Sequence, residues 1–192
     1  MNRPLDRYAD IHSHLQGLAT RGDTVVSITP DDTMVAGGTY SVGIHPWATD
    51  KPIALSELKR LVAMARDERA VAVGECGYDR LRGGAMDCQR RVFEFQARLA
   101  ARLGKPLIIH CVRAFDLLLA SAKRLRPEPG MWIVHGFRGK PALARQLLDA
   151  GMSLSLGEKF NPATAAVIPP TRLYHETDAQ IEGEKGGGEK KF

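Results

Sequence analysis

The chain has 192 residues, of which 44% are hydrophobic and 26% are charged, so it can bury a core of ordinary globular size. The formal net charge is +5, which suits a polyanionic partner but does not demonstrate one. No run of about 18 apolar residues occurs and the first residues do not resemble a signal peptide, so we expect no membrane partner.

Eight short apolar runs predict strands, at 8–14, 24–28, 39–44, 70–74, 106–109, 131–134, 152–156 and 172–175. From the third run onward they alternate with helical patterns at 52–69, 85–103, 114–126 and 141–150, whereas 158–168 is only weakly periodic. No clear helix is predicted between the first and third strands.

This alternation of apolar strands with helices indicates a parallel sheet covered by helices. Eight such strands predict a closed (β/α)8 barrel of the TIM type. An open doubly wound sheet is the alternative. It has less support because the sequence lacks a Gly-x-Gly-x-x-Gly turn and a phosphate-binding Gly-x-x-x-x-Gly-Lys-Ser/Thr loop.

Two histidines end the first predicted strand. His12 and His14 are two residues apart, so on an extended strand their side chains point to the same face. Two imidazoles at that spacing can bind one metal ion, although the pair alone is weak support for a metal site.

Further ligand-type residues follow other predicted strands. Glu75 comes after the fourth, His110 after the fifth, His135 after the sixth and Asp178 after the eighth. The C-terminal ends of barrel strands meet at one mouth, so we expect all these side chains to converge there with His12 and His14. Imidazoles and carboxylates together suit one or two divalent ions, namely Zn²⁺, Mn²⁺ or Mg²⁺.

Several neighbouring residues have two interpretations. His45 either faces a substrate or forms a hydrogen bond within a turn, and Arg113 and Arg138 either bind phosphate or are solvated. Asp79 either orients a ligand or caps a loop. His175 is predicted to be structural.

The three cysteines are odd in number and show no Cys-x-x-Cys spacing. This argues against a disulfide framework and predicts a cytoplasmic location. Cys76 and Cys111 adjoin proposed ligands, so we expect them to point away from the mouth as small buried hydrophobic residues.

Six short motifs, in this order over about residues 8–179, resemble those of the TatD family of metal-dependent hydrolases. They are Asp10-Ile11-His12-Ser13-His14, Gly43-Ile44-His45-Pro46, Gly74-Glu75-Cys76-Gly77-Tyr78-Asp79, Ile109-His110-Cys111, His135-Gly136-Phe137-Arg138-Gly139 and Glu176-Thr177-Asp178. The resemblance implies a (β/α)8 barrel and metal-dependent hydrolysis of phosphodiester bonds, typically in DNA. The matching ligand positions are His12, His14, Glu75, His110, His135 and Asp178.

On this reading, His12, His14, Glu75 and Asp178 hold one ion, and Glu75, His110 and His135 hold the second. Asp178 and Glu75 are the expected catalytic residues, with Asp178 taking a proton from water. His45, Arg113 and Arg138 are the expected substrate-binding residues. Arg113 stands three residues after His110, whereas the family often has this arginine at two.

The family's chains continue past the Glu-Thr-Asp motif into a helix that closes the barrel. Residues 180–192 instead contain four glycines among charged residues, a composition unsuited to an amphipathic helix. We therefore expect one domain at 1–179, a disordered tail at 180–192 and no closing helix. The open flank predicts marginal stability or a homo-oligomer.

Two other functions fit the same residues. The site can serve hydrolysis of another ester, an amide or a phosphomonoester, because a metal centre polarises all of these bonds. A truncated barrel can also bind metal without catalysis.

Overall fold

The strands form one parallel sheet whose order follows the chain. The computed structural model describes residues 5–179, and in it β1 to β8 pair in sequence. The strands are β1 (Asp10–Ser13), β2 (Thr24–Ile28), β3 (Tyr40–Val42), β4 (Ala70–Asp79), β5 (Leu107–Val112), β6 (Trp132–Val134), β7 (Ser153–Leu156) and β8 (Leu173–His175). A doubly wound sheet would reverse its strand order, so the predicted (β/α)8 barrel is confirmed.

Five α-helices lie between the strands of the described chain. They are α1 (Leu55–Arg66), α2 (Met86–Leu103), α3 (Phe115–Leu125), α4 (Pro141–Asp149) and α5 (Pro162–Ala165). Helix α1 is shorter than the predicted 52–69, because the Asp67 carboxylate accepts a hydrogen bond from the Arg69 backbone N–H and forms a turn instead. The weakly periodic segment 158–168 contains only the short α5.

An apolar layer fills the inside of the barrel. One buried side chain from each of six strands joins it, together with two residues that precede β1. These residues are Leu5, Tyr8, Ile11, Val25, Ala72, Ile108, Ile133 and Tyr174. The helices pack on the outside against a second, larger cluster that includes Val73, Phe93, Leu107 and Trp132. The interior is thus a packed core rather than a channel.

Strand alternation carries some residues from this layer to the barrel mouth. His110 and His135 each lie two positions beyond an inward-pointing isoleucine, Ile108 or Ile133, so they point inward as well. Strand β4 departs from this simple pattern. Its register with β5 shifts between Val73 and Cys76.

The prediction that Glu75 follows the end of the fourth strand is wrong. Strand β4 continues to Asp79 and pairs with β5 as far as Val112, so His110 also lies within its strand and not after it as predicted. Gly74 and Gly77 permit this path because their φ angles are +128° and +148°, which side chains rarely adopt.

The barrel closes between β1 and the residues that follow β8. The Asp178 N–H donates to the His12 carbonyl at 3.0 Å, and the His14 N–H donates to the Ala179 carbonyl at 2.8 Å. The Thr177 hydroxyl donates to the Asp10 carboxylate at 2.6 Å. The tail predicted for 180–192 lies outside the described residues. Within 5–179, no helix is long and apolar enough to cross a bilayer.

Candidate metal centre

The Glu75 carboxylate lies at the centre of the ligand-type residues at the barrel mouth. Its side chain is 7% exposed, and its two oxygens face different sets of imidazoles. Glu75 Oε2 lies 3.3 Å from His12 Nε2 and 3.6 Å from His14 Nε2. Strand β1 therefore supplies two donors to one side of this carboxylate, as their spacing in the sequence predicts.

Asp178 joins His12 and His14 in a first group of donors, and Glu75 Oε2 lies beside the two histidines of this group. The Asp178 Oδ1 atom lies 3.7 Å from His12 Nε2 and 3.6 Å from His14 Nε2, and the two imidazole nitrogens are 3.2 Å apart. Four ligands about 2.0–2.1 Å from a tetrahedral ion lie about 3.3–3.4 Å from one another. The separation of the two imidazole nitrogens and the separations of each from Glu75 Oε2 and Asp178 Oδ1, all 3.2–3.7 Å, thus suit the binding of one ion.

A second group surrounds Glu75 Oε1. His110 Nδ1 and His135 Nε2 each lie 2.8 Å from this oxygen, and His45 Nε2 lies 3.2 Å from it. His45 Nε2 thus belongs to this second group, and His45 Nδ1 accepts the Trp47 N–H at 3.2 Å, which is the hydrogen bond within a turn that one of its two interpretations predicts. Glu75 could therefore bridge two ions, since Oε2 faces the histidines of β1 and Oε1 faces the second group.

The Asp79 carboxylate contacts a histidine of this second group. Asp79 Oδ2 lies 3.1 Å from His110 Nε2 and also accepts a hydrogen bond from the Trp47 indole N–H at 2.6 Å. Asp79 also caps its loop, because it accepts the Leu81 N–H at 2.7 Å. Both interpretations of Asp79 therefore describe contacts that the structure contains.

Sequence reasoning missed Glu176. Its buried carboxylate accepts the Gly136 N–H at 2.6 Å and lies 3.5 Å from His135 Nδ1. The signal was present, because Glu176 shares the alternation phase of Asp178, two residues later.

Burial and charge act against each other at Glu75. Burial raises the pKa of its carboxyl, but His135, His12 and His110 lower it, and the net pKa is well below the usual value. Glu75 is therefore ionised at neutral pH and available as a ligand.

The pKa values of His14, His45 and His135 are shifted, but not all in the same direction. Burial lowers the pKa of His14 and His45, so both are neutral at pH 7 and can offer a nitrogen lone pair. Burial also disfavours charge on His135, but Glu75 and Glu176 raise its pKa well above the usual value. His135 must lose a proton before it can bind a metal.

The remaining predicted residues lie outside the two groups. Arg113 and Arg138 are exposed on loops that follow β5 and β6, and His175 is exposed at the end of β8. Cys76 is fully buried, and Cys111 is partly buried. Burial raises the pKa of Cys111 to about 12 and that of Cys76 well above its usual value, so neither thiol is a ready nucleophile.

The sequence of the chain matches known proteins of one family. Residues 32–184 match the family model described as TatD related DNase. A Mycobacterium tuberculosis protein named as an uncharacterized metal-dependent hydrolase TatD is 37% identical over 72% of this chain and 57% of its own length. Deoxyribonuclease Tat-D of Schizosaccharomyces pombe is 32% identical over 73% of this chain and 51% of its own length. A 3'-5' ssDNA/RNA exonuclease TatD of Edwardsiella piscicida is 34% identical over 78% of this chain and 59% of its own length.

Solved structures share the fold. A TatD homologue from Escherichia coli aligns over 91% of this chain and 80% of its own with a TM-score of 0.72 and 24% identity. A TatD family hydrolase from Entamoeba histolytica aligns over 90% of this chain and 73% of its own, with a TM-score of 0.69 and 19% identity. The chain spans little more than half the length of the curated relatives that it matches. On the match of its sequence to the family model and to these relatives, the chain belongs to the TatD related DNase family.

Proposed function

We propose that this protein is a divalent-metal-dependent hydrolase that cleaves phosphodiester bonds in nucleic acid, with DNA as the main substrate. The observation that carries the proposal is the Glu75 carboxylate, whose two oxygens each face a separate set of imidazoles. The names of relatives support the substrate, since one is a deoxyribonuclease and another an ssDNA/RNA exonuclease.

The first group of donors is proposed to hold one ion and the second group another. His12, His14, Glu75 and Asp178 form the first, and Glu75, His110 and His135 form the second, with His45 beside it. A set dominated by imidazole nitrogens favours Zn²⁺ or Mn²⁺ over Mg²⁺, which prefers oxygen ligands. Ions bound there would make a water molecule more acidic and offset phosphate charge.

Asp178 is proposed to take the proton of the attacking water. Its side chain is 30% exposed at the mouth, so water and substrate can reach the carboxylate. Arg113 and Arg138 are proposed to bind non-bridging phosphate oxygens. Both guanidinium groups are exposed on loops at the mouth, and their paired N–H donors match phosphate oxygens. His45 is proposed to contact the phosphate from the side of the second group.

Cleavage of end-labelled single- and double-stranded DNA tests the proposal, with Mn²⁺, Mg²⁺ or Zn²⁺ added to chelator-treated protein. We expect cleavage only with an added ion. Glu75→Gln should lower the rate by about 1,000-fold, because several kcal/mol of metal-assisted stabilisation are lost. Glu68→Gln is the matched control, since Glu68 is exposed and precedes β4, away from the mouth. Cleavage by Glu75→Gln at the control's rate would contradict the proposal.

The chemistry of the cysteines supports a cytoplasmic location, which we also propose. Cys76, Cys88 and Cys111 are all free thiols, as expected in a reducing compartment. Self-association stays a prediction that sedimentation at several protein concentrations can check.

A further inference from the structure

An exposed tryptophan borders the candidate metal centre. Trp47 follows His45 and Pro46 at the barrel mouth, and its side chain is 42% exposed although the indole is large and apolar. Its ring centroid lies 4.7 Å from that of His45 and 6.0 Å from that of His110. Part of the indole surface is thus available to solvent beside the second group of donors.

The indole is held in one orientation. Its N–H donates to Asp79 Oδ2 at 2.6 Å, and the Trp47 backbone N–H donates to His45 Nδ1 at 3.2 Å. Asp79 is itself fixed by the Leu81 N–H at 2.7 Å. Because these bonds exist before any ligand arrives, little side-chain entropy is lost when the ring is contacted.

A cation lies over the same ring. The guanidinium carbon of Arg82 is 4.4 Å from the centroid of the Trp47 ring. The loop that carries Arg82 is anchored, because the buried Gln89 side chain donates to the Arg82 and Gly84 carbonyls, each at 3.0 Å. The Gly84 N–H donates to the Thr49 hydroxyl at 3.1 Å, which ties this loop to the segment after Trp47.

We propose that the Trp47 indole and the Arg82 guanidinium form a stacking platform for a nucleobase next to the scissile phosphate. The proposal rests on the proposed function, which places that phosphate at the Glu75 centre. The platform suits a single strand, because bases in a duplex already stack on one another. Every base has a π-face, so the platform accepts any sequence. Arg82 adds a positive charge beside the strand.

A simpler role for Trp47 is to orient Asp79, and through it His110. That role uses only the indole N–H, whereas stacking uses the ring. Phenylalanine and leucine both lack the N–H, but only phenylalanine keeps an aromatic face. The comparison of Trp47→Phe with Trp47→Leu therefore separates the platform from the hydrogen bond.

Binding of a dye-labelled single-stranded oligonucleotide, measured by anisotropy in EDTA at low salt, is the first test. We expect Trp47→Leu to bind roughly 5- to 150-fold more weakly than Trp47→Phe, which is the range for loss of one aromatic stacking contact. A set of oligonucleotides that each carry one abasic site, moved along the strand, locates the stacked base. At that position the difference between the two variants should disappear.

Tryptophan fluorescence gives an independent readout. The chain has two tryptophans, and Trp132 is 4% exposed, so Trp132→Phe leaves Trp47 as the reporter. Adding the intact oligonucleotide should quench Trp47 emission, and the abasic oligonucleotide should quench it much less. The affinity measurements use the native Trp132, so they stand even where Trp132→Phe folds poorly.

Each outcome decides between the two proposals. Equal affinity of Trp47→Phe and Trp47→Leu for every oligonucleotide overturns the platform, and DNA cleavage by the metal-loaded wild type then still supports the proposed function. A base-dependent difference without any DNA cleavage supports the platform and overturns the nuclease. No binding and no cleavage overturn both.

Discussion

The backbone N–H of Asp178 donates to the carbonyl oxygen of His12 at 3.0 Å. This bond joins the chain after β8 to β1, and it also sets the distance between the two side chains, with Asp178 Oδ1 3.7 Å from His12 Nε2. The seam that closes the barrel is therefore the element that completes the first group of donors. Damage to the seam should weaken both the fold and metal binding.

Asp10 is expected to contribute to stability across this seam. Its carboxylate accepts the Thr177 hydroxyl at 2.6 Å, the Thr177 N–H at 3.1 Å and the His12 N–H at 3.1 Å. Asp10→Ala leaves these groups without their partner, so the free energy of unfolding should fall by about 1–3 kcal/mol. Thr177→Val removes only the hydroxyl and should cost about 1 kcal/mol. Urea unfolding measures both, and an unchanged midpoint for Asp10→Ala contradicts this role of the seam.

Gly77 is expected to be essential for the path of β4. Its φ is +148°, and a Cβ there would overlap the carbonyl oxygen of His110. Gly37 also has a positive φ, +71°, but its Cβ would meet nothing within 4 Å. Gly37→Ala should therefore cost about 1–2 kcal/mol from backbone strain alone, and Gly77→Ala distinctly more. Thermal unfolding compares the two variants, and equal losses would show that the contact with β5 is unimportant.

Asp79 should act on the metal through His110. Removing a carboxylate that holds a metal-binding histidine typically costs about 10- to 100-fold in metal affinity or activity, and we expect that range for Asp79→Asn. Asp149→Asn is the control, because Asp149 is exposed at the end of α4. Competition with a chromogenic chelator measures the affinity of each variant for Mn²⁺. If the two variants bind Mn²⁺ equally, His110 does not need Asp79.

Metal binding should release protons. His135 retains its proton in the metal-free protein at neutral pH because its pKa is raised, burial being outweighed by Glu75 and Glu176. An ion binds the neutral imidazole, so about one proton should leave and affinity should increase as pH rises towards the pKa of His135. Calorimetry in buffers with different ionisation enthalpies counts the released protons. A binding heat that is independent of the buffer contradicts this prediction.

The barrel, and most of the side chains that meet at its mouth, could be predicted from the sequence. Side chains along a regular strand alternate between its two faces, so their spacing in the sequence shows which of them point the same way. The spacing of His12 and His14, and the apolar runs before His110 and His135, required only a period of two. Glu75 could be picked out as a candidate ligand, but its position within β4 could not, because the register shift depends on contacts between β4 and β5. Trp47 and Asp10 gave no local signal, since their partners Asp79 and Thr177 are distant in the chain.

Equilibrium dialysis against Mn²⁺ tests the role of Glu75 most directly, using wild type, Glu75→Gln and the exposed control Glu68→Gln. Glu75 lies beside histidines of both groups of donors, so its loss should weaken metal binding by both. We expect one or two ions per chain in wild type and Glu68→Gln. Glu75→Gln should bind Mn²⁺ at least about 100-fold more weakly than wild type. Loss of a residue that only hydrogen-bonds to a metal ligand typically costs about 10- to 100-fold, and loss of a ligand itself should cost more. If folded Glu75→Gln binds as many ions as wild type at the same Mn²⁺ concentration, Glu75 is not the shared ligand of a metal centre.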